Sequence, residues 1–80
     1  FNLGVAHFRT GDMSSAQRHF EKAMQLKPEL GEAWLYLGVI EERAGRLDNA
    51  IARYRGGIEK DRENLELWGA LVGALRKKGQ

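Results

Sequence analysis

The feature that most constrains this chain is a repeat with a period of 34 residues. Gly11, Gly45 and Gly79 lie 34 positions apart, and so do Trp34 and Trp68. A comparison of each residue with the one 34 positions later finds 11 identities in 46 pairs, against about three expected from average composition. Self-similarity at a fixed period of this length is typical of chains that stack one small structural unit several times.

Each unit is predicted to be a pair of amphipathic helices joined by a tight turn. In residues 31–64 the apolar positions follow helical spacing, pause at Gly45, and then follow helical spacing again. Glycine suits the turn because it adopts positive φ without strain. No run alternates apolar and polar residues with the β-branched enrichment of a strand. The sequence therefore predicts an all-α fold.

The 34-residue frame assigns the 80 residues to a single domain with three segments. Residues 1–30 are a partial unit, residues 31–64 a complete one, and residues 65–80 the first helix of a further unit. Both ends of the sequence are therefore expected to fall inside a unit. The prediction is five helices in all.

Local signals place the ends of these helices. The second helix is expected near Met13–Leu26, with Asp12 as its N-cap. Pro28 is expected to begin the third helix, because its fixed φ suits a first turn. The last helix is expected near Leu65–Lys78.

Composition excludes several classes of protein. The chain has no cysteine, which removes disulfide scaffolds and thiolate chemistry. Its longest nearly uncharged runs, Ala33–Ile40 and Leu67–Leu75, are well short of the ~20 residues that a membrane helix needs. A net charge of +2 gives no support for binding nucleic acid or an anionic membrane. We expect a soluble protein whose compartment stays open, with the cytoplasm slightly favoured.

The sequence offers no catalytic or metal site. His7 and His19 are the only histidines, and no nucleophile motif or phosphate-binding loop accompanies them. Carboxylates such as Glu41 and Glu42 are interpreted as solvated helix faces. We therefore predict no catalytic residue, no metal ligand and no cofactor, and we do not expect an enzyme.

The recurring motif Trp-x-x-Leu-Gly, then Ala-x-x-x-aromatic, then Pro, resembles the tetratricopeptide repeat. The complete unit supplies Trp34, Leu37, Gly38, Gly45, Ala50 and Tyr54. The first partial unit supplies Leu3, Gly4, Ala16, Phe20, Ala23 and Pro28. The resemblance covers all 80 residues, or about two and a third repeats. It implies a right-handed superhelix, a solenoid of antiparallel helix-turn-helix repeats.

Spacing and departures from the motif make specific predictions about packing. The core is expected to contain Ala16, Phe20, Trp34, Leu37, Trp68 and Leu71. Val72 stands where Gly38 stands one repeat earlier. Gly56 and Gly57 fall inside the fourth helix and should loosen it, by about 1 kcal/mol per residue.

The resemblance also implies a concave groove lined by the first helix of each repeat. In the first helix the groove residues are Phe1, Asn2, Val5, Phe8 and Arg9. In the third helix they are Glu32, Leu35, Tyr36, Val39, Glu42 and Arg43. In the fifth helix they are Glu66, Gly69, Ala70, Gly73, Arg76 and Lys77. The groove would have an apolar floor and scattered charges. Gly69 and Gly73 would leave the groove-facing side of the fifth helix with almost no side chains.

The function that this resemblance implies is a non-catalytic protein–protein interaction module. It would bind an extended or helical segment of another protein or peptide, without nucleic acid or membrane. The open repeat ends could also support self-association. One alternative is the scaffold arm of a larger enzyme whose catalytic domain lies outside this chain. A less favoured alternative is an RNA-binding helical repeat, which would need polar base-reading side chains and a basic face.

Overall fold

A computed structural model describes residues 12–79, and these residues fold into four helices. They are α1 (Met13–Leu26), α2 (Gly31–Arg43), α3 (Leu47–Lys60) and α4 (Leu65–Gly79). No strand occurs between residues 12 and 79, so the prediction of an all-α fold is confirmed for this part of the chain. The other predicted helix, at residues 1–10, lies outside the described residues.

Side-chain caps begin two of the helices. The backbone N–H of Ser15 donates to Asp12 Oδ1 at 3.2 Å, which confirms the predicted cap of α1. The backbone N–H of Leu67 donates to Asn64 Oδ1, also at 3.2 Å. In both helices the cap satisfies an N–H group that has no partner within its helix.

The turn between α2 and α3 depends on a glycine with positive φ. Gly45 has φ of 82°, a conformation that other residues adopt at a cost. Its N–H donates to the Glu42 carbonyl oxygen at 3.0 Å, and the Arg46 N–H donates to that of Glu41 at 2.9 Å. This pair of bonds is the Schellman motif, which reverses the chain within three residues.

The prediction that Pro28 begins a helix was wrong, because α2 begins at Gly31. Pro28 lies instead in a turn closed by the Leu30 N–H, which donates to the Lys27 carbonyl oxygen at 3.0 Å. The Pro28 carbonyl oxygen accepts the indole N–H of Trp34 at 2.9 Å. Pro28 therefore positions the tryptophan that follows it.

The apolar core consists of two clusters, and α2 contributes to both. The first cluster joins α1 to α2 and contains Ala16, Phe20, Leu37 and Ile40. The second joins α3 to α4 and contains Ala50, Ile51, Tyr54, Ile58, Leu67, Leu71 and Ala74. Trp34 and Leu35 of α2 pack against the second cluster.

Glycine allows α2 and α3 to approach closely. A Cβ atom on Gly38 would lie well inside van der Waals distance of the Tyr54 ring. A Cβ on Gly56 would lie 2.5 Å from Trp34 Cζ3, and one on Gly57 would lie 2.6 Å from Trp34 Cβ. The two glycines expected to loosen α3 thus have a packing role, because they make room for the indole.

Trp68 was expected in the core, but it is 46% exposed. Its indole N–H donates to the Arg62 carbonyl oxygen at 3.0 Å, which is the bond that Trp34 makes one repeat earlier. The difference lies in what covers the ring. Trp34 lies against Gly56 and Gly57, whereas no described helix occupies the equivalent position beside Trp68.

The same substitution should have opposite effects at two glycines. Gly38→Ala should lower the free energy of unfolding by about 1–3 kcal/mol, because the methyl group overlaps Tyr54. Gly73→Ala should raise it by about 0.5–1 kcal/mol, because alanine favours the helix and a Cβ there meets nothing within 4 Å. Urea denaturation followed by circular dichroism measures both. Equal changes at the two positions would contradict the close approach at Gly38.

Candidate functional site

The predicted groove residues that the structure describes lie on α2 and α4. These two helices contact each other directly, as expected for the first helices of consecutive repeats. Leu35 of α2 and Ala70 of α4 are half-buried and both pack at the edge of the second cluster. Each helix therefore presents a partly exposed apolar residue at the edge of this cluster. The predicted groove residues Phe1, Asn2, Val5, Phe8 and Arg9 lie outside the described residues.

Tyr36, a predicted groove residue, also packs against the core. Its ring stacks on Phe20 of α1, with ring centroids 4.8 Å apart and an interplanar angle of 4°. Phe20 is fully buried. Tyr36 is half-buried like Val39, whereas Arg43 at the end of α2 is exposed. Tyr36 therefore contributes both to the first cluster and to the surface of α2.

The wall formed by α4 carries little side-chain bulk. Gly69 is exposed, Gly73 is half-buried, and Arg76 is exposed one turn further along. A Cβ atom added at either glycine would meet nothing within 4 Å. The space beside this part of α4 is therefore open, and a ligand backbone could approach the helix closely.

Glu42 lies at the centre of a polar network that joins three helices. The Tyr54 hydroxyl of α3 donates to Glu42 Oε1 at 2.6 Å. The Lys77 ammonium of α4 donates to Glu42 Oε2 at 2.8 Å. The Glu42 side chain is only 18% exposed, so the interpretation of this carboxylate as a solvated one was wrong. The reason is that α3 and α4 both direct a donor towards it.

These contacts shift the pKa of the Glu42 carboxyl and that of the Tyr54 phenol. Burial alone would raise the pKa of the Glu42 carboxyl, but hydrogen bonds from Lys77 and Tyr54 outweigh it, and its pKa lies below the ordinary 4.5. Burial raises the pKa of the Tyr54 phenol well above its ordinary 10.0, and the bond to Glu42 raises it further. Glu42 is therefore an ionised acceptor and Tyr54 a neutral donor across the physiological range.

Glu41 is also buried, contrary to prediction, but it serves the turn rather than the groove. It is 6% exposed and accepts from Arg46 Nε at 2.8 Å and Nη2 at 3.3 Å. The hydrogen bond from Arg46 lowers the pKa of the Glu41 carboxyl, against the opposing effect of burial. The bidentate pair fixes the turn that joins α2 to α3.

Neither a metal site nor a membrane-spanning helix is found in residues 12–79. In residues 12–79 no three His, Asp or Glu side chains are grouped closely enough to hold a metal ion. None of the described helices combines the length and the apolar character needed to cross a membrane. A cleft of about 360 Å³ lies elsewhere, lined by Trp34, Glu41, Asn49, Ala52 and Arg53. None of the predicted groove residues lines this cleft, so it is separate from the surface between α2 and α4.

One residue of the Glu42 network, Tyr54, was not among the predicted groove residues, whereas Glu42 and Lys77 were. Tyr54 was identified only as a residue of the repeat motif, and its ring is buried. A signal was present in the repeat itself. The positions of Phe8 and Phe20 in the first unit correspond to those of Glu42 and Tyr54 in the second. The second unit thus has a tyrosine hydroxyl where the first has only a phenyl ring, and it has a carboxylate acceptor where the first has another phenyl ring.

Comparisons with known proteins agree with the repeat. A family model described as Tetratricopeptide repeat matches residues 1–64. Tetratricopeptide repeat protein 8 of Caenorhabditis elegans is 33% identical over 54 residues, which are 68% of this chain and 11% of that protein. The chain therefore spans only a small part of that curated relative. A crystal structure of a tetratricopeptide repeat domain protein from Salinibacter ruber matches with a TM-score of 0.81 and 32% identity, covering 91% of this chain and 89% of that one.

The two lowered carboxyl pKa values predict a loss of stability in acid. A carboxyl with a folded-state pKa below 4.5 stabilises the fold above that pH and stops doing so as the pH falls through its folded-state pKa. The free energy of unfolding should therefore decrease from pH 7 to pH 3. In Glu42→Gln this decrease should be smaller, and the loss at pH 7 should be about 0.5–1 kcal/mol. Glu59→Gln, at an exposed position, is the matched control in urea titrations at both pH values.

The raised pKa of Tyr54 predicts an unusual alkaline titration. The chain has two tyrosines, so Tyr36→Phe leaves Tyr54 as the only phenol. Its near-ultraviolet phenolate absorbance should not appear as the pH passes 10.0 but together with the loss of helical circular dichroism. A group with a raised folded-state pKa stabilises the fold below its ordinary value and ceases to do so as the pH rises. Titration near pH 10 with the helices intact would show that the phenol is not held as described.

Proposed function

This chain belongs to the tetratricopeptide repeat family, and on that premise we propose that it holds a segment of a partner protein between α2 and α4. Tetratricopeptide repeats are generally protein-interaction modules. The proposed module has no catalytic role of its own. It comprises the partial repeat 1–30, the complete repeat 31–64 and the first helix of a further repeat, 65–80.

The observation that carries this proposal is the open wall beside Gly69 and Gly73. A Cβ at either position meets nothing within 4 Å, while Leu35 and Ala70 provide an apolar surface nearby. An open wall and an apolar floor suit a chain segment whose backbone approaches α4 and whose apolar side chains contact α2. Burial of those side chains would supply most of the affinity.

Charges around the floor would set the register of the segment. Glu42 is held in place by Tyr54 and Lys77, so its carboxylate is a fixed acceptor. Arg43 and Arg76 are exposed near the ends of α2 and α4. A partner segment of mixed charge would complement this surface better than a uniformly acidic or basic one.

The proposed groove continues onto the first repeat. In a right-handed superhelix Asn2, Val5, Phe8 and Arg9 would extend the same concave surface. The resemblance to the family implies that Asn2 holds the backbone of a bound peptide. The interaction surface would then run across three successive first helices, long enough for a segment rather than a single side chain.

Gly73→Gln should block this surface without damaging the fold. A glutamine there enters open space and removes a helical glycine, so stability should rise slightly. Peptides selected from a displayed random library on the wild-type chain should bind Gly73→Gln at least about tenfold more weakly, a loss of ~1.4 kcal/mol. Calorimetry measures this difference on purified protein.

Ala52→Gln provides the control for that experiment. Ala52 is an exposed residue of α3 and lies outside the predicted groove, so this variant should bind the selected peptides as the wild type does. The proposal fails if no peptide is selected, or if the selected peptides bind Gly73→Gln and the wild type equally.

A further inference from the structure

Both α2 and α4 carry an acidic residue, an uncharged residue and a basic residue in one line along the helix. On α2 these are Glu32, Val39 and Arg43, and on α4 they are Glu66, Gly73 and Lys77. Intervals of seven and four residues bring each set of three onto one face of its helix. The two lines lie 34 positions apart in sequence, so the repeat presents the same order of charges twice.

The structure places the two lines side by side and in the same direction. Lys77 near the end of α4 donates to Glu42 near the end of α2 at 2.8 Å. Leu35 near the start of α2 packs against the cluster that contains Leu67, near the start of α4. Like charges are therefore neighbours across the two helices. We call Glu32 and Glu66 the acidic rim, and Arg43 and Lys77 the basic rim.

Both rims are accessible from outside. Glu32, Glu66 and Arg43 are exposed, and the Lys77 side chain is 65% exposed although it is bonded to Glu42. Neither Glu32 nor Glu66 forms an ion pair with a described residue. Since α2 is packed by α1 and by α3 on its other faces, the charges on α2 stay outside a helix whose neighbours are in place.

Helix geometry gives the dimensions of this surface. Glu32 and Arg43 are eleven residues apart, which is about 16 Å along a helix that rises 1.5 Å per residue. Packed helices lie roughly 8–10 Å apart, so the charges recur along each rim at about that interval. Between the rims lie Val39 and Gly73, both half-buried. A segment that crosses the two helices meets acid on one side, base on the other and an uncharged row beneath.

An extended segment in the polyproline II conformation matches these dimensions. It has three residues per turn and rises 3.1 Å per residue, so its side chains form three rows in which positions recur at about 9 Å. Its backbone has no internal hydrogen bonds and can lie close to Gly73, where a Cβ would meet nothing within 4 Å. Resting on the function proposed above, we propose that the partner segment crosses α2 and α4 in this conformation, with one acidic, one basic and one apolar row.

Charge complementarity assigns the three rows. The acidic row faces Arg43 and Lys77, the basic row faces Glu32 and Glu66, and the apolar row lies on Val39. A uniformly charged segment would be attracted by one rim and repelled by the other. Each exposed ion pair is weak by itself, so selectivity depends on charges that recur at every third position. An α-helical segment fits less well, because its own side chains hold its backbone away from the helix surface.

Synthetic peptides test the pattern of charges. One peptide repeats leucine, aspartate and lysine three times, and a control peptide contains the same residues rearranged so that no charge recurs at the third position. Calorimetry should show that the patterned peptide binds the wild-type chain at least about tenfold more tightly, a difference of ~1.4 kcal/mol. The difference should shrink at high salt, because the contacts that cause it are exposed ion pairs. Equal binding of the two peptides would overturn the proposal.

A charge reversal in the acidic rim locates the contact. Glu66→Lys should bind the patterned peptide about fivefold more weakly, because an attraction becomes a repulsion. A peptide with glutamate in place of each lysine should bind Glu66→Lys more tightly than it binds the wild type. Glu59→Lys makes the same charge change at an exposed position of α3 and should bind the patterned peptide like the wild type. Circular dichroism verifies that both variants are folded, and equal effects of the two substitutions would contradict the proposal.

Failure of this inference and failure of the proposed function give different results. If peptides selected from the random library lose affinity for Gly73→Gln but lack charges at every third position, the binding surface stands and this occupant is wrong. Charges that recur every seven residues would mean a helical segment and would also overturn the inference. If neither the selected peptides nor the patterned peptide bind, both proposals fail.

Discussion

The contact of the Tyr54 ring with Gly38 determines how α2 and α3 pack. Because glycine has no Cβ, the aromatic ring lies directly on the backbone of α2, and the two helices come closer than side-chain packing would allow. The same closeness places Trp34 over Gly56 and Gly57. It also brings the Tyr54 hydroxyl to Glu42. The helix pair, the position of the tryptophan and the polar network are thus consequences of one missing side chain.

The proposed binding surface and the core share residues. Tyr54 fills the second cluster with its ring and holds Glu42 with its hydroxyl. Tyr36 packs on Phe20 with one ring face and contributes to the surface of α2. Residues with an apolar body and a polar tip suit this double position. A change in how the helices pack would therefore alter the charges and shape presented between α2 and α4.

Periodicity was sufficient to predict the described helices, because they depend on a pattern that recurs along the chain, and the motif that recurs with it carried the resemblance to the family. Met13–Leu26 was placed to the residue, and Gly45 was identified as the turn. The sequence could not predict which carboxylates are buried. Glu41 and Glu42 are adjacent in sequence and both polar. Glu41 is paired with Arg46 of the following turn, whereas the donors to Glu42 come from Tyr54 and Lys77 on two other helices. Trp68 was wrongly predicted to be buried, because its motif matches that of Trp34. Trp34 is covered by Gly56 and Gly57 of α3, whereas no described helix covers Trp68.

The division of the core into two clusters gives α2 a special place in the cooperativity of the fold. It supplies Leu37 and Ile40 to the first cluster, while Trp34 and Leu35 pack against the second. Fraying of α1 or α4 would open one cluster and leave the other in contact with α2. Loss of α2 would open both at once. The helix that carries part of the proposed binding surface is thus also the one whose local unfolding is least separable from global unfolding.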